Sequence, residues 1–70
     1  MQEQMSALQY ETYQAIKRYW KEYGHAPTVL NIAEMLDKSY TATEAQVKHL
    51  ENGGWVEKVG RRGLYVRREA

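Results

Sequence analysis

The tripeptide Asn52-Gly53-Gly54 divides this chain into two kinds of sequence. Before it, apolar residues recur at three- and four-residue spacing, the period of helices that bury one face. After it, β-branched and aromatic residues crowd two short runs, Trp55-Val56-Glu57-Lys58-Val59 and Leu64-Tyr65-Val66-Arg67. Asn and Gly tolerate the left-handed conformation in which helices stop, so the tripeptide closes the helical part and opens a strand. Gly60-Arg61-Arg62-Gly63 joins the two runs, and two glycines bracketing a short polar link predict a hairpin.

The helical part divides in three. Ser6-Ala7-Leu8-Gln9 fits a capping box, in which the serine oxygen takes one orphan N–H and the glutamine reaches back for another. From there Met5, Leu8, Thr12, Tyr13, Ile16, Tyr19, Trp20 and Tyr23 predict an amphipathic first helix of about five turns. Gly24 supplies its left-handed stop. The aromatic stripe belongs to the core: the chain has no Phe, so Tyr and Trp must fill that volume and find partners for their polar atoms. Proline keeps Ala26 extended, and Thr28 is the natural N-cap of a short second helix with Val29 or Leu30, Ile32, Ala33 and Leu36 inward. Asp37-Lys38-Ser39-Tyr40 reads as the turn. A third helix is expected from Thr41, where Thr41-Ala42-Thr43-Glu44 is a second capping box, with Thr43, Val47 and Leu50 inward.

Two short helices, a stop and a hairpin with arginines at its tip are the plan of a winged helix-turn-helix. The expected fold is mostly α with a small β-hairpin: three helices plus a two- or three-stranded wing. At 70 residues there is room for one domain, residues 1–70 with a core over 5–67. Such a module sets one short helix in the DNA major groove and a basic loop on the flanking backbone.

Composition narrows the alternatives. With 43% hydrophobic and 27% charged residues the chain is globular in type. No stretch approaches the ~18 apolar residues of a membrane span, and the N-terminus lacks the basic start and apolar core of a signal peptide. A cytoplasmic, nucleoid-associated protein is the simplest expectation. The absence of cysteine rules out disulfides and thiolate zinc sites. No pair among Asp37, Ser6, Ser39, His25 and His49 is spaced as a nucleophile with its base or as metal ligands, so neither an enzyme nor a metal or cofactor is expected. Net charge is only +1, but it is unevenly placed. Residues 1–54 carry five basic and seven acidic side chains, whereas residues 55–70 carry Lys58, Arg61, Arg62, Arg67 and Arg68 against Glu57 and Glu69. That concentration suits phosphates, although a solubilising basic end would look the same.

From Met5 to Val66 the sequence resembles the N-terminal DNA-binding domain of the LexA repressor family. The resemblance rests on Met5, Gln9, Thr12, Tyr13, Ile16 and Trp20, then Gly24, Pro27-Thr28, Ile32-Ala33 and Leu36, then Val47, Leu50, Gly54, Val56 and Arg62-Gly63-Leu64. Three departures stand out. Asp37 occupies the place of a usual glycine, which puts the turn after the second helix in question. The turn to the third helix is one residue shorter. The chain also ends at Ala70, without the family's self-cleaving, dimerising second domain, so it resembles a reading head without its switch.

The resemblance implies that the outward face of the third helix, about Thr41 to Asn52, lies in the major groove. Glu44 there suits a cytosine amino group, Ala42 or Ala45 a thymine methyl, Thr41 a base or phosphate, and Gln46, at the edge of the face, an adenine. Glu44 also reads as a capping residue, and the two roles are compatible. Lys48 and His49, further along, suit phosphate, as do the hydroxyls of Thr28, Ser39 and Tyr40 and the N–H groups at helix starts. Arg61 and Arg62, in Gly60–Gly63, are expected on the backbone or in the minor groove, or else are solvated turn residues. Arg67 and Arg68 read as a solvated end, and Lys17, Arg18 and Lys21 as an exposed helix face.

These expectations describe a small, repressor-like regulator of bacterial, plasmid or phage type that binds duplex DNA. One helix and a wing make few contacts, so affinity would come from a homodimer formed on DNA or from a larger protein partner. The rival is a protein-docking winged helix, accessory to a larger repressor or polymerase, anchored by Tyr10, Tyr23 or Tyr40.

Overall fold

A computed structural model describes residues 5–60 and 63–69 of the chain. In order, its elements are helix α1 (Ala7–Tyr23), helix α2 (Val29–Leu36), helix α3 (Tyr40–Asn52), strand β1 (Val56–Val59) and strand β2 (Gly63–Val66).

The start of α1 follows from its capping box. Ser6 Oγ accepts from the Gln9 N–H at 3.2 Å, and Gln9 Oε1 accepts from the Ser6 N–H at the same distance. Gly24 ends the helix at φ 75°, its N–H returning to the Trp20 carbonyl. Thr12, Tyr13, Ala15 and Ile16 carry the buried face. Leu8 and Tyr23, expected in the same stripe, lie about half exposed, at 51% and 58%. They stand at the two ends of α1, and a 17-residue helix outruns a core of this size.

Thr28 caps α2 as expected, and Asn31 does for it what Gln9 does for Ser6: each backbone N–H of the pair meets the other's side-chain oxygen, at 2.9 and 3.0 Å. The helix stops at Asp37, which takes the left-handed conformation itself, φ 57° and ψ 46°. The turn therefore has the shape a glycine would give it, at the steric cost of a Cβ in that region.

The start of α3 differs from expectation. Ser39, not Thr41, is the N-cap: its Oγ accepts from the Ala42 N–H at 3.1 Å, and Tyr40 is the first helical residue. Both residues are competent caps, but serine ranks above threonine. An earlier start also lets the buried Thr43 hydroxyl donate to the Ser39 carbonyl at 2.9 Å. Glu44 consequently lies beyond the capping position. Thr43, Val47 and Leu50 face inward, as their spacing requires. The helix ends with the N–H groups of Gly53, Gly54 and Trp55 on the carbonyls of His49, Glu51 and Leu50, and Gly54 turns the chain at φ 79°.

The hairpin is antiparallel, with Val56 opposite Val66 and Val59 opposite Gly63. Gly63 thus belongs to β2, which begins one residue earlier than the bracketing glycines suggested. Among the described residues the sheet has two strands. The Leu64 N–H reaches the Pro27 carbonyl at 3.1 Å, so the extended segment before α2 lies on the outer edge of β2.

Tyr13, Ile16, Val29, Ile32, Val47, Leu50, Val56 and Leu64 form one core shared by all five elements. Two aromatic polar atoms of α1 find partners 44 and 55 residues away. Trp20 Nε1 donates to the Leu64 carbonyl at 3.0 Å, and the Tyr13 hydroxyl donates to the Arg68 carbonyl. Arg68 is therefore no solvated end. Its guanidinium stacks on Trp55, 4.0 Å from the ring centroid, and donates to the Gly53 carbonyl at 2.7 Å. A Lys17–Glu69 ion pair at 2.6 Å adds a further tie from α1 to the C-terminal residues. That hydrogen bond raises the Lys17 pKa above the ordinary lysine value.

Candidate nucleic-acid interface

Helix α3 can be read residue by residue. Successive side chains turn by about 100°, so a helix anchored through Thr43, Val47 and Leu50 must turn Thr41, Ala45 and Lys48 away from the core. All three are exposed, together with Tyr40, Ala42 and His49. Asn52 shares their face, four residues after Lys48 and seven after Ala45, and is also exposed. Asn52-Gly53-Gly54 signals a stop in the sequence, and the spacing Thr41, Ala45, Lys48, Asn52 is itself helical.

Glu44 and Gln46 flank this face on opposite sides, both half-buried. Glu44 turns toward the wing, where its Oε2 lies 4.0 Å from Lys58 Nζ on β1. Gln46 turns toward α1 and, with Leu8, Thr12, Lys38, Ala42 and Thr43, lines a cavity of about 150 Å³. The structure thus brings Thr41, Ala42, Ala45, Lys48 and His49 together on one surface, with Glu44 and Gln46 at its margins.

The expected backbone-contacting residues are more dispersed. Ser39 and Tyr40 stand at the exposed start of α3, and the Ser39 oxygen is already occupied by the Ala42 N–H. Thr28 is set apart: its hydroxyl caps α2, and it lines a groove with His25, Asn31, Val59, Gly63 and Tyr65 at the outer side of the wing. Arg61 and Arg62 lie outside the described residues.

Contacts within the fold engage three of the five basic residues that follow Gly54. Arg67 pairs with Glu57 at 2.5 Å, Lys58 faces Glu44, and Arg68 stacks on Trp55. Among the described residues no group of three or more His, Cys, Asp or Glu is placed to hold a metal ion, and no helix is long and apolar enough to cross a membrane.

No curated protein matches the sequence. A family model described as the LexA DNA binding domain matches residues 2–63, which is nearly the whole chain. Three helices and a two-stranded hairpin, with the outer face of α3 exposed beside the wing, are what a winged helix-turn-helix requires. The chain therefore belongs to the LexA DNA-binding domain family, a family of duplex-DNA-binding modules associated with transcription regulation.

Proposed function

We propose that this chain is a sequence-specific, repressor-like transcriptional regulator that inserts α3 into the major groove and lays the Gly60–Gly63 wing tip on the backbone or in the adjacent minor groove. The observation that carries the proposal is the exposed face of Thr41, Ala42, Ala45, Lys48 and His49 on a helix whose other side is anchored in the core. Small side chains at 41, 42 and 45 let the helix approach the base edges closely. Thr41, Ala42 and Ala45 then read bases, with Glu44 and Gln46 reading from the two margins.

Contacts to phosphate come from Ser39 and Tyr40 at the start of α3, from Lys48 and His49 along it, and from Arg61 and Arg62 on the wing. Thr28 extends this set through its hydroxyl proton. Two copies on half-sites about one helical turn apart would supply the affinity that one module lacks.

The test is a titration of selected and random duplexes at two salt concentrations, with Arg61→Ala/Arg62→Ala alongside. Wing arginines that hold phosphates give equal losses on both duplexes and a salt slope flatter by about 0.9 per contact removed. Equal affinity of the unmodified chain for selected and random duplexes would reject sequence reading.

A further inference from the structure

The contact between Glu44 and Lys58 joins the helix proposed to read bases to the strand that carries the wing. Glu44 comes from the second turn of α3 and Lys58 from the inner face of β1, between Val56 and the wing tip. Their side chains are 34% and 31% exposed, and Lys58 Nζ lies 4.0 Å from Glu44 Oε2. Two features of this geometry matter for DNA. A carboxylate brought between two phosphate strands is repelled, and a lysine at its back offsets that repulsion. The lysine's approach is to Oε2, one of the two carboxylate oxygens.

We infer that Lys58 is a positioning residue for base choice: it holds the Glu44 carboxylate so that one oxygen is presented to a cytosine amino group. The inference rests on the proposed role of α3 in the major groove. It gives β1 a part in specificity without any contact between Lys58 and a base. A lysine that simply bound phosphate would act differently, contributing to affinity for every sequence alike.

The experiment compares the chain with Lys58→Met, Lys58→Arg, Glu44→Ala and the Lys58→Met/Glu44→Ala double variant. Each is titrated against the selected duplex, the same duplex with each cytosine of the half-site replaced in turn, and random DNA. Methionine keeps the unbranched stem of Lys58 in place while removing its charge. Glu44→Ala is expected to abolish the preference for one cytosine, a loss of roughly tenfold for a single base contact. Lys58→Met should lose most of that same preference, with less than about threefold change on random DNA, and Lys58→Arg should restore it. In the double variant, Lys58→Met should cause no further loss of preference.

Uniform weakening by Lys58→Met on all duplexes, with cytosine preference intact, would overturn the inference and leave the major-groove reading standing. Loss of preference that Lys58→Arg does not restore overturns it too. If Glu44→Ala leaves every base preference unchanged, Glu44 reads no base and the inference falls with that role. Absence of any preference in the unmodified chain rejects the function on which both depend.

Discussion

Replacing Ser39 by alanine tests where α3 begins. In the structure Ser39 Oγ satisfies the Ala42 N–H at 3.1 Å, one of the four orphan donors at the helix start. Removing an N-cap serine costs about 1 kcal/mol, within a range of about 0.5–2. For a domain of this length the unfolding entropy is about 0.15 kcal/mol per degree, so the melting temperature should fall by about 7 °C. Thr41→Ala is the control. Thr41 is exposed inside the first turn, where alanine is the better helix former, so its melting temperature should hold or rise by a degree or two. Thermal unfolding followed by circular dichroism, with both variants in one buffer, reads the difference directly. The reverse order, with Thr41→Ala costly and Ser39→Ala neutral, would refute the capping geometry and move the start of the helix to Thr41.

Two further changes probe the frame that holds α3. Asp37→Gly relieves a Cβ at φ 57° and removes a carboxylate from the C-terminal end of α2, but frees the unfolded chain; the net expected gain is about 0.5 kcal/mol, read as a rise of about 3 °C in melting temperature. Tyr13→Phe removes the hydroxyl that donates to the Arg68 carbonyl while leaving the ring in the core, and should cost about 1 kcal/mol in a denaturant titration.

What could be read from the sequence was local. The Ser6 box, the Gly24 stop and the Thr28 cap each depend on residues within four positions of one another, and each lies where its pattern put it. The α3 boundary was misplaced for the same reason. Ser39 and Thr41 both satisfy local rules, and the choice falls to the buried Thr43 hydroxyl and to a turn short enough for Asp37 to close. The strands are offset by one residue because the twin glycines signal a turn without saying which of them pairs. Contacts across the chain left no such trace. Nothing near Arg68 in sequence announces a stack on Trp55, and nothing near Glu44 announces Lys58. The candidate interface shows the same split: helical period turns Thr41, Ala42, Glu44, Ala45 and Lys48 away from Thr43, Val47 and Leu50, but that Glu44 is half-buried toward Lys58 required the packed structure.

The ion pairs also bear on how strongly DNA binding should depend on salt. Five basic residues follow Gly54, a number that taken at face value suggests a broad phosphate-binding surface. Three of them are engaged within the fold, Lys58 with Glu44, Arg67 with Glu57 and Arg68 with Trp55 and the Gly53 carbonyl. If Arg67 and Lys58 keep their carboxylates on a duplex, individually weak as surface pairs are, they contribute no phosphate contact. The cations proposed to meet phosphate in each module are then Lys48, Arg61 and Arg62. Three neutralised phosphates correspond to a slope of about −2.7 in a plot of log Kobs against log salt concentration for one module on a half-site. Hydroxyl and backbone N–H contacts add affinity without adding to that slope, because they release no counterion charge. A measured slope near −5 per module would mean that the basic residues at the C-terminal end abandon their partners on binding. Arg67→Ala, silent in the first case, would then flatten the slope by about one contact.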